Sequence, residues 1–213
     1  MIKSFLQKVI ILLYKSTMIG LSKRPHITRY FMYRHLRLYS RVRPEGLKVL
    51  SISNSNKLAK ILGFDDNQIV DASYPEFNVL DLPFSDGEFD AVVSDQVLEH
   101  VEGNPQTAMD ELFRVLKPGG ISLHTTCFIN PVHANPSDYW RFTPEALELL
   151  TKQHGTILDC GGWGNLFVWP FIFFGLRFQP IPNASWHPVH WIAIKNQRRW
   201  PIVTWVLSEK TEL

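Results

Sequence analysis

At 213 residues, with 45% hydrophobic and 13% aromatic content, the sequence is long and apolar enough to build a core, which excludes a disordered chain. Its formal net charge of +2 hides an asymmetry: ten Lys or Arg and no acid lie between Met1 and Pro44, so a basic arm of +10 precedes a body of −8. The two cysteines, Cys127 and Cys160, have a spacing that fits neither a metal site nor a disulfide framework, so a reducing cytoplasm is expected and no metal.

The arm contains "FLQKVIILLYK", whose unbroken apolar core, Val9 to Tyr14, falls well short of the ~20 residues of a membrane-spanning helix. No small-residue cleavage site follows it, so it does not read as a signal peptide. Two readings stand: an interfacial helix drawn to anionic lipid or nucleic acid, or a helix packed on the domain with its lysines in water. Beyond the arm, "LKVLSIS" reads as a strand and "KLAKIL" as a helix, and the "SNSN" turn between them contains no glycine. "QIVDAS" and "FDAVVSD" read as buried strands. "NPQTAMDELFRVL" has helical spacing at Ala108, Leu112, Val115 and Leu116, and Pro118-Gly119-Gly120 stops it. "GISLHTT" is a further strand, and "TPEALELLTKQ" a helix with Thr143 as N-cap and Pro144 at its first position. "TILDCGG" and "PIVTWVLSEK" read as two last strands with a long aromatic insertion between them. Strands alternating with helices imply an α/β fold with a parallel sheet covered on both faces. Ligands of such sheets bind beyond the strands' carboxyl ends, which selects the turns after Ile52, Val70, Val93 and Thr125.

The stretch Asn78 to Phe128 carries "DLPFSDGEFD", "VLEHV" and "RVLKPGG" in that order, and in this it resembles a class I S-adenosylmethionine (SAM)-dependent methyltransferase of the type 11 group. The following "HANPSDYWRFTPEAL" is similar to a subset associated with bacterial cell-surface polysaccharide clusters. The resemblance implies a Rossmann-like, mainly parallel seven-stranded sheet flanked by helices, formed by residues 45–213, behind a basic helical N-terminal extension, residues 1–44. It also implies SAM as cofactor. The glycine-rich turn of the family matches Ser53, Asn54 and Ser55, and the acid that bonds the ribose hydroxyls matches Asp71. The polar residue beside the adenine amino group matches Asn78, with Asp81 as a substitute, and Asp95 and Gln96 match the methionine end. Ser51 stands where the family often has an acid that helps hold the methionine ammonium. Asn tolerates the left-handed region best after glycine and Ser adds only a small hydroxyl, so the turn is expected to bind SAM still.

Transfer from a sulfonium needs alignment, and needs a base only when the acceptor must lose a proton. The candidates are His133 and Asp138, with His100 behind them. Tyr139, Trp140 and Arg141 are candidates to stack on a sugar ring and grip an acidic group; the alternative is that "DYWRF" is a structural corner. His187 and His190 in "WHPVH" lack further ligands and read as structural. "GGWGN", Gly161 to Asn165, reads either as part of the acceptor pocket or as a tight turn. "LFVWPFIFFGLRF", Leu166 to Phe178, reads as a buried wall or as a surface for a lipid-linked acceptor. The expected protein is a cytoplasmic SAM-dependent methyltransferase acting at O or N of a carbohydrate or other small molecule, with peripheral membrane contact through the arm as an option and no nucleic-acid partner. The alternative is a methyltransferase-fold scaffold that has lost catalysis and serves in a glycan-assembly complex. A nicotinamide-dependent oxidoreductase is weaker, since its turn tolerates side chains less well.

Overall fold

The computed structural model describes residues 2–133 and 136–211, with side chains from residue 5 onward. In chain order, α1 (Ile2–Ser16), β1 (Lys23–His26) and α2 (Ile27–Leu36) come first. They are followed by β2 (Val49–Ile52), α3 (Asn56–Leu62), β3 (Ile69–Ala72) and β4 (Phe89–Asp95). Next come α4 (Pro105–Arg114), β5 (Leu116–Cys127), α5 (Pro144–Thr151) and β6 (Gly155–Trp163). The last elements are α6 (Val168–Phe173), β7 (Pro180–Pro182), α7 (Pro188–Ile194) and β8 (Val203–Lys210). The chain divides into two compact units: unit 1, Met1–His35 with Trp163–Ile202, and unit 2, Leu36–Gly162 with Val203–Leu213.

Unit 2 is built on a sheet of strand order β3-β2-β4-β5-β8-β6. Strands β2, β3, β4 and β5 run parallel, with Ser51 opposite Asp71 and Asp95 opposite Thr125, while β8 lies antiparallel to β5. The expected seven-stranded, mainly parallel sheet is thus a mixed sheet of six strands among the described residues. The reason is local: the chain between β6 and β8 folds into unit 1, where β7 pairs with β1 instead of widening the main sheet. All four residues of β2 are buried, as a strand covered on both faces requires. Strand order reverses between β2 and β4, which places the crevice of the α/β rule beyond these two strands.

Helix α4 starts at the N-cap Asn104, whose side chain accepts the Gln106 N–H, and buries Ala108, Met109, Leu112 and Phe113 against the sheet. Thr143 caps α5 by accepting the Ala146 N–H, with Pro144 in the first turn. Arg114, at the end of α4, joins the two outer motifs of the resemblance. Its guanidinium reaches Glu111 at 2.8 and 2.9 Å, Asp86 at 2.6 Å, and the carbonyls of Phe84 and Leu82 at 2.8 and 2.9 Å. Glu111 in turn accepts the Leu82 N–H at 3.0 Å, and the guanidinium beside it holds its carboxyl below the usual range. The segment before β4 is therefore clamped onto α4 by a planar cation that uses its whole fork.

Unit 1 ties the N-terminal helix to the aromatic insertion. Tyr14 and Met18 are buried, and the Tyr14 hydroxyl donates to the Pro180 carbonyl at 2.7 Å. Its ring meets Phe171 edge-on at 5.6 Å. His187 accepts the Val189 N–H as N-cap of α7 and lies 3.1 Å from the Thr17 hydroxyl through its other nitrogen. His190 is buried at 3.2 Å from the Pro182 carbonyl, so both histidines of "WHPVH" serve packing and capping.

Candidate active site

Among the described residues, the non-glycine positions with positive φ are Ser53 (51°), Asn54 (60°) and Gln96 (61°), and all three lie just beyond the carboxyl ends of β2 and β4. Such a conformation costs an ordinary residue about 1 kcal/mol or more, and clustering of such positions at one edge marks a site held in shape by its surroundings. Ser53 and Asn54, the first half of "SNSN", therefore adopt the positive-φ backbone that a glycine would supply.

Asp71, opposite Ser51 on β3, holds this turn. Its carboxylate accepts the Asn54 N–H at 2.9 Å, the Ser51 hydroxyl at 3.0 Å and the Ser73 hydroxyl at 2.5 Å. Ser55 turns the other way: its hydroxyl donates to the Ile52 carbonyl at 2.5 Å and accepts the Asp95 N–H at 2.7 Å, linking the ends of β2 and β4. Asp95 also accepts the Thr125 hydroxyl at 2.6 Å, and the Gln96 N–H donates to the Thr125 carbonyl at 2.9 Å. These bonds fix Gln96, whose side-chain Nε2 is buried and has no hydrogen-bond partner among the described residues. A buried amide donor of this kind is expensive unless a ligand completes it.

The crevice encloses about 450 Å³ between Ile52 and Ser53 on one side and Gln96 and Val97 on the other. This is ample for a nucleoside-sized ligand. Tyr74, Phe77, Asn78, Val79 and Leu80 form a further wall, and His100, Ser137 and Tyr139 lie in the lining as well. Of the residues expected at the site, Ser53, Asn78, Gln96 and Tyr139 line the cavity, whereas Ser51, Asn54, Ser55, Asp71 and Asp95 shape its edge by the bonds just described. The apolar wall was not among the residues singled out from sequence. Its available signal was the Asn in "FNVLD": the Asn78 side-chain oxygen accepts the Leu80 N–H at 3.0 Å, closing a tight turn.

In the loop after β5, Arg141 forks onto both oxygens of Asp138, whose side chain is nearly fully buried. Asp138 Oδ2 also accepts the His133 N–H at 2.8 Å. The guanidinium beside Asp138 holds its carboxyl far below the usual carboxylate range, so it stays ionised and is a poor proton acceptor. Trp140 donates its indole N–H to the Val101 carbonyl at 2.9 Å, and the backbone N–H groups of Tyr139 and Trp140 both bond to the Glu99 carbonyl. "DYWRF" is thus largely a structural corner, with Tyr139 alone of its first three residues reaching the cavity lining. His133 Nδ1 lies 3.2 Å from Asp138 Oδ2, and its ring meets that of His100 edge-on at 5.0 Å. His100, expected behind His133, is the histidine in the lining; its Nδ1 bonds to the Ser137 carbonyl. Gly161 and Asn165 lie away from the lining, and Asn165 instead donates to the carbonyls of Ile192 and Lys195.

Residues 37–123 match the family described as "Methyltransferase domain". The match spans 87 of the chain's 213 residues, and over this segment the chain is similar to methyltransferase domains of the type 11 group. Two curated mycobacterial relatives are similar over stretches of 77 and 76 residues. A Mycolicibacterium vanbaalenii protein named "Uncharacterized methyltransferase" is 35% identical over 77 residues, 35% of this chain and 30% of that protein. A Mycolicibacterium smegmatis protein named "Probable S-adenosylmethionine-dependent methyltransferase" is 37% identical over 76 residues, 32% of this chain and 29% of that protein. The chain thus spans under a third of the length of these relatives. Solved structures share the fold at low identity. A Haloferax volcanii methyltransferase in complex with the Trm112 methyltransferase activator superposes with TM-score 0.56 at 15% identity, over 87% of this chain and 91% of that one. Haemonchus contortus phosphoethanolamine N-methyltransferase 2 in complex with S-adenosyl-L-methionine gives TM-score 0.52 at 14% identity, over 85% and 52%. Within the matched segment the motifs "DLPFSDGEFD" and "RVLKPGG" meet in the Arg114 clamp.

Proposed function

We propose that the protein is an SAM-dependent methyltransferase acting at oxygen or nitrogen of a small or carbohydrate acceptor. The single observation that carries this reading is the glycine-like backbone of Ser53 and Asn54, held by Asp71 at the mouth of the 450 Å³ crevice. The residues present fit the cofactor: an acid at the end of β3 for ribose hydroxyls, apolar walls with Asn78 for an adenine, and the orphaned Gln96 amide for a polar group at the methionine end. When bound, SAM supplies a methyl group on an already activated sulfonium. The chain then has to orient the acceptor and exclude water. For a hydroxyl acceptor, His100 is the base: its Nδ1 faces a carbonyl that can only accept, so Nδ1 carries the proton and Nε2 keeps its lone pair. His133, with its Nδ1 3.2 Å from the ionised Asp138, stands next to it as a second proton carrier. Asp138, expected as a catalytic group, is in this reading a positioning residue.

Calorimetric titration with SAM and with S-adenosylhomocysteine tests the cofactor assignment. Micromolar binding of both is expected, and Asp71→Ala should weaken it at least tenfold, about 1.4 kcal/mol, because it removes both a ribose acceptor and the anchor of the turn. No binding up to millimolar concentration would favour a scaffold. That reading draws on the absence of an acid at Ser51 and on the three protein donors already occupying Asp71.

A further inference from the structure

Unit 1 holds eleven of the chain's 22 Lys and Arg and none of its 20 Asp and Glu. Seven of the cations lie between Met1 and His35, and the others are Arg177, Lys195, Arg198 and Arg199. Two segments more than a hundred residues apart thus come together as one acid-free body, while unit 2 keeps eleven cations against all 20 acids. The same unit presents large apolar side chains to solvent. Phe173, Phe178 and Trp186 are each about 71–72% exposed, and Phe5, Leu12, Leu13 and Ile19 are exposed on the N-terminal segment. Phe167 and Trp191 meet at 5.3 Å, and the Lys195 ammonium lies over both rings at 5.3 and 4.8 Å. Helix α1 is secured through Tyr14, and the Gln7 side chain lies against Gly175, where a Cβ would come within 1.8 Å of its Nε2. The buried face of α1 is therefore spoken for, and its exposed aliphatic side chains remain outward.

We infer that unit 1 docks the protein on an anionic lipid bilayer. Exposed Trp and Phe beside Lys and Arg are the side chains that settle at the boundary between headgroups and acyl chains. Eleven cations without an acid within the unit match a negative surface. No described helix is long and apolar enough to cross a membrane, so the contact is peripheral. A nucleic acid would meet the cations and could stack on the rings, but it gains nothing from outward Leu12, Leu13 and Ile19, which a bilayer accepts. The surface is wider than a basic arm: it includes Phe173, Phe178, Trp186 and the Arg198–Arg199 pair from the insertion. It stands independently of the acceptor assignment.

Flotation of the full-length protein decides the matter, using vesicles of phosphatidylcholine with about one third phosphatidylglycerol and vesicles of phosphatidylcholine alone. The protein should float with the anionic vesicles only and be released by high salt. The doubly substituted Phe173→Ser, Trp186→Ser and Arg198→Glu, Arg199→Glu proteins should each bind at least tenfold more weakly while melting at the wild-type temperature. No flotation of the wild type, equal flotation on neutral vesicles, or unchanged binding by both variants would overturn the proposal. So would single-stranded RNA that binds unit 1 tightly enough to strip the protein from vesicles, which would assign the surface to nucleic acid.

Discussion

Asn54 and Ser55 are neighbours with opposite duties, and the difference is measurable. Asn54 sits at φ 60° with its side chain exposed, so the turn needs its backbone shape and its N–H. Asn54→Gly should leave unfolding free energy in urea within about 0.5 kcal/mol of wild type, since relief of the left-handed conformation offsets the freer unfolded chain. Asn54→Val should cost about 1–2 kcal/mol, because a branched Cβ crowds the same φ. Ser55→Ala is different in kind: it strands the Asp95 N–H and the Ile52 carbonyl, and should cost about 1–2 kcal/mol despite the smaller chemical change. Asp138 gives a pH signature. Unfolded, an aspartate titrates near the usual value of about 4. Folded beside Arg141 its carboxyl titrates far lower, so its contribution is complete above the unfolded value and is lost as pH falls from there toward the folded one. Asp138→Asn should flatten the rise of unfolding free energy between about pH 3 and pH 5; an unchanged slope would show the pair to be energetically idle. The sequence made Asp71 and Asn78 legible because each sits at a fixed offset from a strand or motif. It concealed the Ser55 link because the partner N–H is forty residues away.

At the level of elements, what could be read was the order of strands and helices in unit 2, and what could not was direction, the elements of unit 1, or that β5 starts at Leu116 and takes in the Pro118-Gly119-Gly120 expected to stop α4. Thr143 and Pro144 announce α5, and Asn104 and Pro105 announce α4, through local chemistry that needs no partner. "PIVTWVLSEK" shows a strand, yet Val203 to Ser208 are all buried, so no alternation reveals which neighbour it pairs with or that it runs antiparallel to β5. The Arg114 clamp ties "DLPFSDGEFD" to "RVLKPGG" in this chain. One guanidinium bonds two carboxylates and two backbone carbonyls that an ammonium cannot satisfy at once. Arg114→Lys should therefore lower stability by about 2 kcal/mol, read as a shift in the urea midpoint at constant slope. A cost under about 0.5 kcal/mol would mean the clamp is only a surface ion pair.

For the whole molecule, the decisive feature is that residues 1–35 and 163–202 form one unit. Composition revealed the charge of the first segment and the aromatic excess of the second, but their association rests on contacts such as Tyr14 with Pro180 and Thr17 with His187, which no periodicity encodes. It also means that the N-terminal helix is part of a core rather than a detachable arm: removing residues 1–20 would take away the buried Tyr14 and Met18. The point substitution Tyr14→Ala examines this without deleting charge. It removes the hydrogen bond to Pro180 and the ring contacts to Phe171 and His187, and should cost unit 1 about 3 kcal/mol. That is roughly a hundredfold in local opening, since each factor of ten is about 1.4 kcal/mol. Amide exchange resolves where the loss falls. Protection of residues 163–202 should drop by about that factor, while the amides of β4 and β5, whose partners all lie in unit 2, keep theirs. If protection falls equally in both units, they open as one cooperative body and the division has no energetic meaning. Loss confined to unit 1 would show that the acid-free unit can loosen while the strands around the crevice stay closed.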